Sequence, residues 1–309
     1  MKKPRVLVTG AGGFIGTSLI KELWRRNCEV VYFDLIDPKI EGIKRMNLGT
    51  VLDPHDLALA VRGCDYAIHL AALLGVQRTE SNPLECLHIN ITGTLNFIEA
   101  CIKEKVRKMV FSSSSEVYGE QSAQPVREDS PLNASSVYAV SKLAGEQYLR
   151  AYAEMYDIEY NTVRFFNVYG EHQNDSFVLS KFIRSAVKGE GPTVFGDGEQ
   201  IRSFCYVDDA VRGLADVVFS GKSGEIYNIG NDLEPITIKD LAEKIIRISG
   251  KILEPLFLPY ERADRPLDRD IKKRIPSIEK ARRELGYEPK CLLDEGLGKL
   301  VAFYRNHQK

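Results

Sequence analysis

The chain predicts an α/β fold, a doubly wound parallel sheet over residues 1–170 followed by a smaller mixed α/β lobe over residues 171–309. Some segments of the second lobe are expected to return to the first domain. Short β-branched runs alternate with stretches of helical periodicity through the first half, and such alternation folds as right-handed βαβ crossovers around a buried parallel sheet. After Gly170 the texture changes. Loops lengthen, glycine and proline crowd together in "KGEGPTVFGDGEQ", and the alternation weakens. A length of 309 residues accommodates one large domain or two modest ones.

Each element follows from its own pattern. "RVLVTG" reads as a short buried strand, and "FIGTSLIKELWRRN" places Ile15, Leu19, Ile20, Leu23 and Trp24 at helical spacing. "CEVVYFD" is a second β-rich run. "YAIHLAA" and "KMVFSSS" are further short strands, with a helix-patterned stretch near Leu84–Lys103 between them. A helix from about Tyr138 to Tyr156 and a strand "NTVRFFNVYG" complete the first half.

Composition narrows the function classes. Apolar residues make up 44% and charged residues 28%, the balance of an ordinary globular protein. A formal net charge of -1 argues against a general nucleic-acid or membrane-surface binder. The locally basic "RDIKKR" (Arg269–Arg274) leaves room for a confined anionic ligand. No apolar run approaches the roughly 18 residues of a membrane span. The N-terminus is unlike a secretory signal. Six cysteines show neither a CxxC pair nor zinc spacing, so no metal is expected, and reduced thiols in the cytoplasm are.

"VTGAGGFIG" sets Gly10, Gly13 and Gly16 at GxxGxxG spacing, directly after a strand and opening a helix. Glycine there allows a tight turn and lets backbone N–H groups approach a pyrophosphate at the positive end of the helix. No GK[ST] follows, which excludes a P-loop. Asp34 closes the second strand, where a carboxylate accepts from an adenosine ribose and repels a 2′-phosphate, favouring NAD over NADP. Further on, "SSVYAVSKLAGEQ" holds Tyr138 and Lys142 four apart on one helix face. An ammonium beside a phenol favours phenolate and makes it a usable acid/base. An amphipathic helix could also carry both residues incidentally.

The glycine turn, "HLAA" (His69–Ala72), the serine run "SSSS" and YxxxK, in this order, resemble the extended short-chain dehydrogenase/reductase family. The likeness is to its nucleotide-sugar epimerases, dehydratases and decarboxylases, and it covers nearly the whole chain. It implies a Rossmann-type sheet, bound NAD and a catalytic set of Ser114, Tyr138 and Lys142. Ser114 would hydrogen-bond a sugar hydroxyl, Tyr138 would take its proton, and Lys142 would hold the nicotinamide ribose. The resemblance further implies that Phe14 and Ile15 cover the pyrophosphate. Leu70, Ala71, Ala72 and Asn90 would line the cofactor, with Phe166 near the nicotinamide. Asn167, Arg202 and Arg274 would meet a nucleotide-diphosphate sugar, with Thr193–Phe195 beside its base. Paired guanidiniums suit a diphosphate because they are bidentate and stay charged. A solvated basic turn is the plainer reading of residues 272–274. Thr50 departs from the family, which often has an aspartate touching adenine there.

The reaction depends on the residues just after the catalytic hydroxyl. In the family's 4,6-dehydratases that hydroxyl precedes Asp-Glu, in its UDP-glucuronate decarboxylases Ser-Glu, and in many 4-epimerases a small or apolar residue replaces the glutamate. This chain reads Ser114-Ser115-Glu116, like the decarboxylases, while Gly75-Val76 after "HLAA" is like the 4-epimerases. Glu116 is a candidate catalytic carboxylate, or a brace accepting backbone N–H bonds. The expectation is a 4-epimerase of a nucleotide-linked hexose or hexuronate working through a 4-keto intermediate. A decarboxylase and then a 4,6-dehydratase are the alternatives, and a non-enzymatic NAD-binding regulatory protein is a further one. Apolar residues beyond one stripe on the helices near 84–103 and 138–156 (Tyr148, Leu149, Tyr152, Tyr156) suggest a homodimer through a four-helix bundle.

Overall fold

Val6, Leu7 and Val8 of the first strand, β1 (Arg5–Thr9), are wholly buried, as a strand covered by helices on both faces requires. The computed structural model describes residues 2–37, 40, 46–263 and 270–307. After β1 come α1 (Phe14–Arg25), β2 (Glu29–Asp34), β3 (Met46–Leu48), α2 (Pro54–Val61) and β4 (Tyr66–His69). Leu19, Ile20 and Leu23 face inward along α1, as their spacing predicts. The sequence reading passed over β3 and α2. Asp53 starts α2 by accepting from the N–H groups of His55 (2.8 Å) and Asp56 (3.2 Å).

The helix expected near 84–103 is broken. After α3 (Val76–Ser81), it divides into α4 (Pro83–Leu87), a π-helical turn (His88–Thr92) and α5 (Gly93–Lys103). Within the π turn, Asn90 points inward and binds both backbone polar groups of Leu73. Such bulges let one side chain leave the regular helical stripe. Next are β5 (Lys108–Ser114), α6 (Val137–Tyr156) and β6 (Glu159–Phe165). The strand read through "NTVRFFNVYG" stops at Phe165, because Asn167 takes a left-handed conformation (φ 36°) that an extended run cannot continue through. A short β7 (Val168–Tyr169) follows.

The remaining elements are α7 (Val178–Lys188), β8 (Thr193–Phe195), β9 (Ile201–Arg202), β10 (Cys205–Tyr206), α8 (Val207–Ser220) and β11 (Ile226–Ile229). Then come β12 (Ile236–Thr237), α9 (Ile238–Ile248), β13 (Leu256–Leu258), β14 (Lys273–Arg274), α10 (Glu279–Leu285) and α11 (Leu293–Asn306).

The main sheet has seven strands in the order β3-β2-β1-β4-β5-β6-β11, every neighbouring pair parallel. Strand order reverses between β1 and β4, and in open α/β sheets ligands bind outside the strand ends at that reversal. β11, from beyond residue 170, pairs in parallel with β6 at one edge of this sheet. A single apolar cluster unites Leu19 and Ile20 of α1 with Leu214 and Val217 of α8. Among the described residues there are three further small sheets, β12-β9-β14, β13-β8 and β10-β7.

On α6 the apolar residues sort differently from the sequence reading. Leu149 is buried against Phe97 and Phe111 and belongs to the inner stripe. The exposed apolar side chains on these helices are Leu84, Val140, Tyr148, Met155 and Tyr156. No helix among the described residues is long and apolar enough to cross a membrane.

Candidate active site

The glycine turn leaves β1 and enters α1 with its backbone packed against the start of the next strand's loop. Gly10 has φ +70°, and a Cβ there would lie 2.7 Å from the Ala71 nitrogen. At Gly16 a Cβ would sit 2.1 Å from the Gly10 carbonyl oxygen, so only glycine lets α1 lie this close to the turn. Gly13 caps α1 without a side-chain hydrogen bond, which leaves first-turn N–H groups available to an anion. Asp34 steadies the turn from β2. Its carboxylate accepts from Gly12 N (2.8 Å), Leu35 N (2.6 Å) and Ile36 N (3.2 Å). A pyrophosphate fits this cradle, since backbone donors stand where no side chain can.

From the cradle a cleft of about 760 Å³ runs along the strand ends. Gly10, Gly13, Phe14, Ile15, Gly16, Leu70 and Ala72 line one end. Ser114, Glu116, Tyr138, Lys142, Asn167, Arg202 and Arg274 line the rest. Residues far apart in the chain therefore meet in one cavity. Arg269 lies outside the described residues.

Ser114 ends β5 and its Oγ accepts from Glu116 N (3.2 Å). Lys142 is buried under the cleft floor and donates from Nζ to the Ser112 carbonyl (2.7 Å). Its Nζ stands 5.8 Å from the centre of the Tyr138 ring. Burial lowers the Lys142 pKa to about 8, against the pull of Cys86 and Glu146. Tyr138 corrects the sequence reading, in which Lys142 lowers its pKa. Burial, then the charge of Glu116, push the phenol above its ordinary value, and only the Ser114 hydrogen bond pulls it down. The histidine of "HLAA" is buried and does not line the cleft. His69 pairs through Nδ1 with Thr9 Oγ1 (2.8 Å) and through Nε2 with Thr94 Oγ1 (3.2 Å). Burial depresses it to about 3, so it is neutral.

Glu116 reaches both sides of the cleft. Its Oε2 accepts from Ser136 Oγ (3.0 Å), and Oε1 lies 3.9 Å from Arg274 Nη1. Ser136 in turn caps α6 by accepting from Ala139 N (3.1 Å), so the glutamate braces the end of the helix that carries Tyr138. This brace runs through a hydroxyl, where the sequence reading had backbone N–H groups. Arg202 and Arg274 are direct partners in the β9–β14 register, which brings the two guanidiniums together. Asp270 holds Arg202 (3.3 Å). Asn167 donates to Ser203 O (2.8 Å).

Three residues expected on the cofactor wall lie behind it. Asn90 is buried and spends its amide on Leu73, Cys86 and Ser141, so it shapes the wall through Leu73 without facing the cleft. Phe166 packs with Val117, Tyr118 and Val126, while Phe165 lines the cleft in its place. Strand alternation puts neighbours on opposite faces, and the reading was one residue out of phase. Ala71 likewise backs onto Gly10 between Leu70 and Ala72. Thr50 accepts from Leu52 N (3.2 Å) in the turn before α2. Sequence reasoning missed Ser136, Ser113, Glu146 and Arg164. For Glu146 a signal existed, because it repeats the four-residue step of Tyr138 and Lys142.

A phenol, a hydroxyl beside it and a buried ammonium thus face one cleft that also carries two guanidiniums. Comparison with known proteins gives this arrangement its family. Residues 6–230 match the NAD dependent epimerase/dehydratase family. A putative UDP-glucose 4-epimerase of Methanocaldococcus jannaschii is 33% identical, the match covering 98% of this chain and 99% of that protein. The UDP-N-acetyl-alpha-D-glucosaminuronate decarboxylase of Bacillus cytotoxicus is 30% identical over 98% of each. Among solved structures, the UDP-glucose 4-epimerase of Thermotoga maritima with UDP-glucose superposes with a TM-score of 0.89. It has 32% identity, covering 98% of this chain and 99% of that one. The chain belongs to the NAD dependent epimerase/dehydratase family, and its cofactor is NAD.

Proposed function

Starting from membership of the NAD dependent epimerase/dehydratase family, we propose that the chain is a 4-epimerase of a UDP-linked hexose, working through a 4-keto sugar. The observation that carries this reading is the state of Glu116. It is committed to Ser136 and Arg274, and the neighbouring position 115 is a serine with no acidic proton to give. Elimination of water needs a general acid and a base, and of the other carboxyl groups lining this cleft Asp270 is tied to Arg202 and Glu80 belongs to α3, not to the turn after Ser114. Epimerisation needs no such carboxyl pair, because its proton passes only between the sugar hydroxyl, Ser114 and Tyr138.

NAD, when bound, supplies the reversible oxidation of the sugar alcohol to a ketone. Tyr138 takes the C4 hydroxyl proton and later returns it, and Ser114 holds that oxygen by a hydrogen bond. Lys142, whose Nζ lies 5.8 Å from the Tyr138 ring centre, would hold the nicotinamide ribose below them. Arg202 and Arg274 hold the diphosphate, and Gly10, Gly13, Gly16 and Asp34 hold the cofactor. The sugar must turn over between the two transfers while its diphosphate stays anchored, and the two guanidiniums suit that anchor.

One observation favours a second reading. Arg274 and Glu116 together place a cation and a carboxylate near the sugar end, a set that can serve decarboxylation of a hexuronate, and a decarboxylase stands among the relatives. The deciding experiment incubates the NAD-loaded protein with UDP-glucose, UDP-glucuronate and their N-acetyl counterparts, with mass and proton NMR readout. A new C4 epimer at unchanged mass is the expected product. Loss of carbon dioxide or of water from any of them overturns the epimerase.

The same reading places the protein in the cytoplasm, in keeping with six cysteines that are all free and buried. It makes the protein a homodimer that packs α5 and α6 against their copies. Support comes from the exposed Leu84, Val140, Tyr148, Met155 and Tyr156 on or beside these helices, since apolar patches of this kind mark interfaces.

A further inference from the structure

Behind the cleft lies a buried ion pair with no part in the chemistry above. Arg164 on β6 grips Glu146 on α6 with two bonds, Nε to Oε1 (2.9 Å) and Nη2 to Oε2 (2.7 Å). Their side chains are 2% and 3% exposed. Ser113 Oγ also donates to Glu146 Oε1. A further Arg164 donor reaches the Glu128 carbonyl (3.2 Å), and the guanidinium lies 4.7 Å from the centre of the Tyr118 ring.

Desolvating two charges costs about as much as their attraction returns, and well-packed apolar side chains stabilise a core as well or better. Stability alone gives little account of this pair. Its position gives a better one. Tyr138, Lys142 and Glu146 follow one another at four-residue steps on one face of α6. That face lies against β5 so closely that a Cβ on Gly145 would stand 2.5 Å from the Phe111 ring. At this separation Lys142 reaches the carbonyl of Ser112, and Glu146 reaches the hydroxyl of Ser113. Ser113 and Arg164 are direct partners in the β5–β6 register. One carboxylate therefore ties both strands to the helix, one residue before Ser114 and one turn from Lys142.

We propose that Glu146, clamped by Arg164 and Ser113, is a positioning residue that holds the end of β5 against α6 and presents a carboxylate to the Lys142 ammonium. The groups facing Lys142 are Cys86 from α4, neutral His69 from β4, and Tyr138 and Glu146 on its own helix, with Glu116 beyond Tyr138. Glu146 favours the protonated lysine against its burial, while Arg164 stacks over Tyr118.

The inference rests on the role given to Lys142 above, so the test reads that lysine directly in the full chain without cofactor or substrate. The Lys142 side-chain carbon Cε is followed by NMR through a pH titration and assigned with Lys142→Arg. The midpoint of wild type is expected near 8. The double variant Glu146→Met/Arg164→Met removes both charges together, keeps the volume and is expected to fold. Its midpoint falls, as loss of a neighbouring carboxylate requires. Ser113→Ala strips a donor from the carboxylate and leaves its charge, so its midpoint moves upward. A second reading uses the NAD-loaded protein with UDP-glucose as probe, where both variants lose kcat by about tenfold with KM little changed. A midpoint that stays in place in the double variant overturns the proposal. Should that variant not fold, Ser113→Ala decides, and an unmoved or lowered midpoint there overturns it. Absence of UDP-glucose turnover in wild type defeats the proposed reaction and leaves the titration to judge Glu146 alone.

Discussion

Replacing Glu116 by glutamine separates a braced site from a catalytic carboxylate. The amide oxygen still accepts from Ser136 Oγ, so the cap on α6 survives. What disappears is the charge facing Arg274. At a separation of 3.9 Å the raw attraction is about 4 kcal/mol for an effective dielectric of about 20. Desolvation of two side chains that are 16% and 9% exposed offsets most of it, so the net loss of stability should be about 1 kcal/mol. Tyr138 also feels the change. Glu116 raises its pKa, so Glu116→Gln lowers it, and any limb of activity that reports Tyr138 ionisation moves to lower pH. With Glu116 as a brace, kcat falls less than about tenfold. A proton-transferring group is worth about 10² to 10⁴ instead. The assay is epimerisation of UDP-glucose followed by NMR, beside a thermal melt and an NAD titration. A kcat reduced by about 10² or more in a folded, NAD-binding Glu116→Gln protein refutes the brace and moves the reaction toward decarboxylation.

Three other outcomes follow from the same geometry. Tyr138→Phe should fold and bind NAD normally while losing about 10²-fold or more in kcat, and near-normal turnover would remove Tyr138 from the mechanism. Asp34→Asn should lose about 1 kcal/mol, because an amide cannot accept at both of the positions now serving Gly12 and the Leu35–Ile36 turn. It should also narrow the preference for NAD over NADP, and equal wild-type affinities for the two cofactors would contradict the charge argument. Light scattering at micromolar concentration should give a dimer mass, with Val140→Arg shifting it toward the monomer, whereas a monomeric wild type sinks the α5–α6 interface.

Much of the molecule was legible in the chain because its signals are local. A glycine that must hold φ +70°, or lie 2.1 Å from a carbonyl, is written at one position. A phenol and an ammonium four residues apart share a helix face wherever the helix packs. Alternating strands and helices leave few choices beyond a parallel sheet with its crevice at the strand reversal. Local signals also have limits of phase. Phe165 and Phe166 are both apolar in an apolar run, and which of them faces the cleft depends on how β6 registers with β5 and β11. Asn90 looked like a wall residue, but the π turn rotates it inward to Leu73.

By itself, then, the sequence determined the dinucleotide cradle, the Tyr138–Lys142 pair and the parallel sheet that carries them. Only the tertiary structure decided what surrounds them. Pairing of β9 with β14 set Arg202 beside Arg274 across a long stretch of chain, and closure of the cleft set Glu116 against Arg274. Packing of α6 on β5 and β6 buried Glu146 with Arg164. The physical reason is separation along the chain. Backbone geometry and helix spacing act within a few residues, whereas the charge that a buried group feels depends on every element folded against it.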